Sequence, residues 1–213
     1  EPFFAGLSRR IDKRKTTDVP TAGVMVDPKS AQFVLLYNPE YFAGLSDKEK
    51  LGVLKHEFYH LTFEHVTGRK PEGGLTKKDN MCMDLAINSH LIGELPDKCC
   101  MPGQKPFEWA EPGKSYEWYK ANWQDFPEPE EGEGGEGNPS DSFDDHSGWG
   151  ETDNTENEIA KERLKEAIKK AAEEANQAGS WGSVPAQCRK EIMDRLKVRI
   201  NWEKALRYFI KTS

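Results

Sequence analysis

Apolar positions recur with two different periods along the chain, and the change of period marks where strands give way to helices. Gly23-Val24-Met25-Val26 and Gln32-Phe33-Val34-Leu35-Leu36-Tyr37 are rich in strand formers, and Asp27-Pro28-Lys29-Ser30 between them has turn chemistry. Together they predict a β-hairpin, closed by Asn38-Pro39. Ahead of it, residues 1–20 are polar, carry a basic cluster from Arg9-Arg10 to Lys15, and are expected to form a short helix. Past the hairpin, Ser46 stands three residues before Glu49, a capping box in which hydroxyl and carboxylate satisfy free N–H groups at a helix start. Leu51, Leu54, Phe58 and Leu61 follow at steps of three, four and three, an apolar stripe of helical period. This helix is predicted to end before Gly68.

A loop containing Pro71-Glu72-Gly73-Gly74 leads to a second helix, expected from Asp79 to about Leu91 and stopped by Gly93 and Pro96. Residues 97–114 read as loop and 115–123 as a short helix. A strong helix is predicted over 155–178, dense in Ala, Glu, Lys and Leu, with Gly179 at the C-terminal cap. Pro185 is placed to start the next helix at its first position, and a last one is expected over 201–211. No internal repeat is visible. The expectation is one domain over 1–213, with 125–154 a flexible acidic loop and 155–213 a C-terminal helical portion.

Composition changes this picture in one place. The net charge of −7 is concentrated, because residues 125–158 hold 13 acidic and no basic residues. Without them 30 basic residues face 24 acidic ones (37 minus 13), so the rest is mildly basic. The Glu/Gly/Pro-rich run over 127–142 is too polar to order itself by burial. The basic remainder lacks any aromatic–basic pattern of a nucleic-acid binder, and no apolar run approaches the roughly 18 residues of a membrane span. A mean hydropathy of −0.83 is expected of a soluble protein. The start, Glu1-Pro2-Phe3-Phe4, lacks the features of a signal peptide, and a chain opening without Met is expected to be a piece of a longer one. Cys82, Cys99, Cys100 and Cys188 form no C-x-x-C pair, which argues against a cysteine zinc knuckle and favours a reducing, cytoplasmic setting.

Candidate chemistry sits on the first long helix, in His56-Glu57-Phe58-Tyr59-His60. Two histidines four residues apart lie about 40° apart around a helix, so both imidazoles can reach one ion. Glu57 beside them is placed to act on a metal-activated water as general base without being a ligand. The pattern predicts zinc held by His56 and His60, and hydrolysis of a peptide bond. A third ligand is needed, and three residues compete. Nine residues beyond His56, His65 falls about 180° round the same helix and misses the metzincin spacing, so a surface or packing role is expected of it. Asp84, within Met81-Cys82-Met83-Asp84-Leu85-Ala86-Ile87-Asn88, is the preferred ligand, with Asn88 one turn on to orient an imidazole. Their spacing resembles the E-x-x-x-D element of thermolysin-like gluzincins. His90, about 240° round from Asp84, is expected to be structural.

Phe143-Asp144-Asp145-His146-Ser147-Gly148-Trp149 follows the acidic run. His146 could reach the centre and stabilise an oxyanion, or belong to a solvated loop anchored by Trp149. Tyr59 and Tyr116 are lesser candidates for that role, with packing the main expectation.

Several landmarks line up beyond the zinc run: Tyr37-Asn38-Pro39, Leu54 to His60, His65, Asp84 to Asn88, Asp144-Asp145-His146-Ser147-Gly148-Trp149 and Ile200-Asn201-Trp202. Across most of residues 20–210 the chain resembles the bacterial and phage metallopeptidases that often precede a von Willebrand A-like domain. The resemblance implies a gluzincin-like zinc peptidase with an α+β, mainly helical zincin-like fold and a small β-sheet or hairpin beside the active-site helix. It supports His56, Glu57, His60, Asp84 and His146 as site residues. It also implies a MoxR-type AAA ATPase or a downstream von Willebrand A-like domain as partner.

Two functions follow as expectations. The leading one is a zinc peptidase acting on protein or peptide substrates, with the substrate extended along the strand that ends at Tyr37. The alternative is a catalytically silent adaptor or binding module for a partner such as an AAA ATPase. An intact Glu57 favours the enzyme; the acidic run favours the adaptor.

Overall fold

Short strands pack beside a long capped helix because the hairpin buries one face and the helix needs cover on every side. The computed structural model describes residues 1–68, 74–97, 99–125 and 154–196. Among them the order is α1 (Pro2–Ser8), β1 (Asp12–Lys15), β2 (Ala22–Asp27), β3 (Gln32–Tyr37), α2 (Pro39–Ala43), α3 (Asp47–Thr62), α4 (Lys77–Asn88), α5 (Tyr116–Ala121), α6 (Asn154–Gln177) and α7 (Ala186–Leu196). The class is α+β. The acidic segment over 126–153, including His146 and Trp149, and the helix expected over 201–211 lie outside the described residues.

The sheet order is β1-β3-β2. β2 and β3 form the expected antiparallel hairpin, in register from Ala22↔Tyr37 to Asp27↔Gln32. The Asp27 side chain accepts from Lys29 N at 2.9 Å and Ala31 takes a φ of 50°, which turns the chain tightly. The short helix expected within residues 1–20 is α1, and the basic cluster after it adds a strand that was not expected: β1 runs parallel to β3, with Asp12 opposite Val34 and Lys15 opposite Tyr37. All four β1 residues are exposed, so backbone pairing makes this strand, and its charges guard the sheet edge. One expectation falls here. With β1 and β2 on its two sides, β3 has no open edge for a peptide to join.

α3 starts at the predicted capping box: Ser46 N donates to Glu49 Oε2 at 2.8 Å, and Glu49 N donates to Ser46 Oγ at 3.3 Å. α4 begins two residues before Asp79, because Thr76 caps it and Asp79 takes the third helical position. The core joins Phe3, Phe4 and Leu7 of α1, Val24, Val26, Phe33 and Leu35 of the sheet, and Phe58, Tyr59 and Leu61 of α3. Met83, Leu85 and Ile87 of α4 and the apolar stripes of α6 and α7 complete it. Its aromatic contacts include Phe3 stacked on Trp181 at 5.0 Å and Phe4 edge-on to Tyr59 at 5.3 Å. The four cysteines are free thiols. No helix among the described residues is long and apolar enough to cross a membrane.

Two contacts set the position of α4 against α3. Gly52 faces the turn after α4 so closely that a Cβ would fall inside the Glu94 carbonyl. Lys55, almost wholly buried, reaches Glu94 at 2.6 Å, Glu1 at 3.3 Å and Ser183 Oγ at 2.7 Å. Gly52→Ala must therefore push the two elements apart, and a loss of about 1–3 kcal/mol is expected in urea unfolding.

Asp79 pins α4 to α5. Besides the Thr76 cap, it accepts from Tyr116 Oη at 2.8 Å and pairs with Lys120 at 2.6 Å. Burial alone would raise its pKa, but bonds from Lys120, Thr76 and Tyr116 outweigh it and hold the carboxyl at about 2, below the ordinary 3.8. A folded-state value below the unfolded one gives stability that is complete above about pH 4 and lost as pH falls toward 2. Asp79→Asn is expected to cost on the order of 2 kcal/mol at pH 7, with the gap to the parent chain closing between about pH 4 and 2 in unfolding curves.

Candidate metal centre

From Gly52 to Thr62 every residue of α3 is buried except the half-buried Leu54. The buried positions include Lys55, His56, Glu57 and His60, so polar groups are drawn inside along with apolar ones. The helix spacing turns His56 and His60 to one side, where their Nε2 atoms stand 2.9 Å apart. Asp84, from the C-terminal half of α4, brings Oδ1 to 3.6 Å from His56 Nε2 and 3.3 Å from His60 Nε2. All three side chains are 1% exposed or less.

These three form the candidate metal-holding group among the described residues. Ligand atoms about 2.0–2.2 Å from a tetrahedral ion stand about 3.3–3.6 Å from one another. Both distances to Asp84 fall in that range, and the distance between the imidazoles is shorter. The donor set also fits: two imidazole nitrogens and a carboxylate oxygen suit a borderline divalent cation. Glu57 and Asp84 are both fully buried, and a bound cation would offset the cost of keeping carboxylates in apolar surroundings.

Each imidazole is held from behind. His56 Nδ1 lies 2.7 Å from Asn88 Oδ1, and Asn88 Nδ2 donates to the Cys100 carbonyl at 2.8 Å. The second bond settles which end of the amide faces His56: Oδ1 accepts, so His56 Nδ1 is the donor of that pair and Nε2 is the nitrogen turned toward His60 and Asp84. His60 Nδ1 lies 3.1 Å from His65 Nδ1. Of the surface or packing role expected of His65, only the surface alternative falls, since the residue is fully buried and packs against Phe63 and Tyr116.

The remaining candidates fall elsewhere. His90 follows the end of α4 and packs its ring 6.3 Å from both Tyr59 and Phe63. Burial pushes its pKa down, with Glu191 opposing. Tyr59 is in the core, where burial and the Cys188 thiol push its phenol far up. The Tyr116 hydroxyl is committed to Asp79. Sequence reading passed over Tyr41. It lies on α2, positioned by the Asn38 cap, and packs with Val53 and Ala22 in a small cluster that also includes Cys99. Val53 is one turn before Glu57 on α3. Burial, then Cys99, Glu49 and Glu57, push the Tyr41 phenol up to about 12, so it remains a hydrogen-bond donor near Glu57. A five-residue helix between a proline and a glycine offers no periodicity that could have revealed it.

No curated protein and no solved structure matches the chain. The profile of one family, described as "putative metallopeptidase domain", matches residues 1–107, the stretch that supplies both imidazoles, Glu57, Asp84 and Asn88, and the chain belongs to that family.

Proposed function

We propose that this protein is a zinc-dependent peptidase. One observation carries the reading: His56 Nε2, His60 Nε2 and Asp84 Oδ1 converge in the buried interior, with Glu57 next to His56 in sequence, in a chain of a metallopeptidase family. His56, His60 and Asp84 would hold the ion, and three protein ligands with one open position are the pattern of catalytic rather than structural zinc. When bound, the ion supplies Lewis acidity that polarises a scissile carbonyl and makes a water easier to deprotonate.

The chain's own residues do the rest. Glu57 takes the proton of the attacking water on its carboxylate and delivers it to the amine nitrogen as the C–N bond breaks, so it ends ionised as it began. Asn88 keeps the His56 proton on Nδ1. Tyr41, protonated and near Glu57, is the tyrosine among the described residues that could donate to a developing oxyanion, a role for which Tyr59 and Tyr116 are already engaged. β2 packs against α3 and has β3 on one side only. An extended substrate would add to its other edge by strand pairing, which puts a peptide carbonyl alongside α3.

Glu57→Gln is expected to keep its zinc and its unfolding midpoint while kcat/KM falls by roughly 10²–10⁴. Cleavage of a mixed peptide library read by mass spectrometry, with metal content by atomic emission, checks this. Full activity in the variant removes the mechanism; a zinc-loaded parent inert toward the whole library removes the peptidase reading.

Zinc should also stabilise the fold, because only the folded chain brings the three donors together. At a free concentration 100 times its Kd the gain is about 2.7 kcal/mol. The measurement is unfolding with and without zinc; His60→Ala and Asp84→Ala should each lose most of the increment.

A further inference from the structure

Had α3 continued, His65 would lie across the axis from His56, nine residues at about 100° each. It does not continue. The helix ends at Thr62, Glu64 takes a left-handed φ of 59°, and the His65 N–H returns to the His60 carbonyl at 2.9 Å. This reversal brings the His65 ring behind that of His60, with centroids 5.1 Å apart and planes at 69°.

The atoms that meet decide what the contact can do. His60 turns Nε2 toward His56 and Asp84, and it is the opposite ring nitrogen, Nδ1, that faces His65 Nδ1 at 3.1 Å. His65 thus stands behind a ligand, on the side away from the donor triangle. A metal-binding imidazole uses one nitrogen for the ion, and the bond made by the other fixes its tautomer and ring plane. For His56 that bond goes to Asn88.

We propose that His65 is the positioning residue of His60, holding its Nε2 lone pair turned into the metal centre. With that lone pair inward, the His60 proton is on Nδ1 and is donated outward. His65 Nδ1 accepts it, so His65 is the neutral tautomer protonated on Nε2. Phe63 and Tyr116, with ring centroids 5.9 and 6.1 Å from that of His65, hold its plane. The two ligands of α3 are then oriented by different means: His56 by an amide on the neighbouring helix, and His60 by an imidazole brought back by the helix's own end. The proposal rests on the metal reading of the site and is independent of peptidase activity.

Two substitutions in the full chain separate positioning from packing. His65→Phe keeps a ring without an acceptor, and His65→Asn restores an acceptor close to the Nδ1 position. Zinc affinity, by competition with a chelating dye, is expected to weaken roughly 10–100-fold in the Phe variant and to recover most of the way in the Asn variant. The zinc-free unfolding midpoints should stay close to that of the parent. Equal affinity of parent and Phe variant overturns the role of His65 and leaves the metal centre standing, as does an Asn variant no better than Phe. A parent that binds no zinc overturns both. Imidazole ¹⁵N spectra of the zinc-loaded parent decide the matter even if the Phe variant does not fold. Protons are expected on His60 Nδ1 and His65 Nε2; a proton on His65 Nδ1, or a His65 nitrogen bound to zinc, overturns the proposal.

Discussion

One helix buries a lysine, two histidines and a glutamate within six residues, and the arrangement around it follows from what each of those groups needs. A charged or polar group inside a protein must find its match on its own side of the backbone. For Lys55 that match is Glu94, Glu1 and Ser183. For the histidines it is Asp84, Asn88 and His65. α4 and the turn after it serve both sides, since Asp84 and Asn88 reach the imidazoles and Glu94 reaches the ammonium. The ion pair on one side of α3 and the donor triangle on the other therefore fix the same interhelical geometry. Apolar packing supplies most of the cohesion, while the polar groups select the register.

What sequence reading captured, and what it missed, divides along a physical line. Ser46 and Glu49, the hairpin from Ala22 to Tyr37, and the α3 face shared by His56 and His60 were legible because side-chain chemistry and period encode them directly. β1 was not. Asp12-Lys13-Arg14-Lys15 has no apolar alternation, and its strand exists through backbone pairing with β3. Missing it also put β3 at the edge of the sheet, where the described residues place it between β1 and β2.

The surface alternative for His65 fails for a similar cause. Sequence offers Gly68 as a stop for α3, but the chain turns earlier, at Glu64, in a left-handed conformation that residues with a Cβ adopt uncommonly. No residue type announces that turn. A helical projection carried through it sends His65 to the wrong side of the axis. Asp84 and Asn88 were easier, because both lie within a regular helix whose apolar neighbours define the buried face. Family membership covers the same stretch of chain, so the site and the family rest on one set of residues.

Asp84 is one methylene shorter than a glutamate, so an α4 carboxylate can come within 3.3 Å of His60 only if the helix backbones draw close. Gly52, lying bare against the Glu94 carbonyl, is where that approach becomes sterically possible. Side-chain reach at position 84 and backbone clearance at position 52 are thus two halves of a single dimension. A longer ligand at position 84 would relax the demand for glycine at 52, and a side chain at 52 would call for a longer reach from 84.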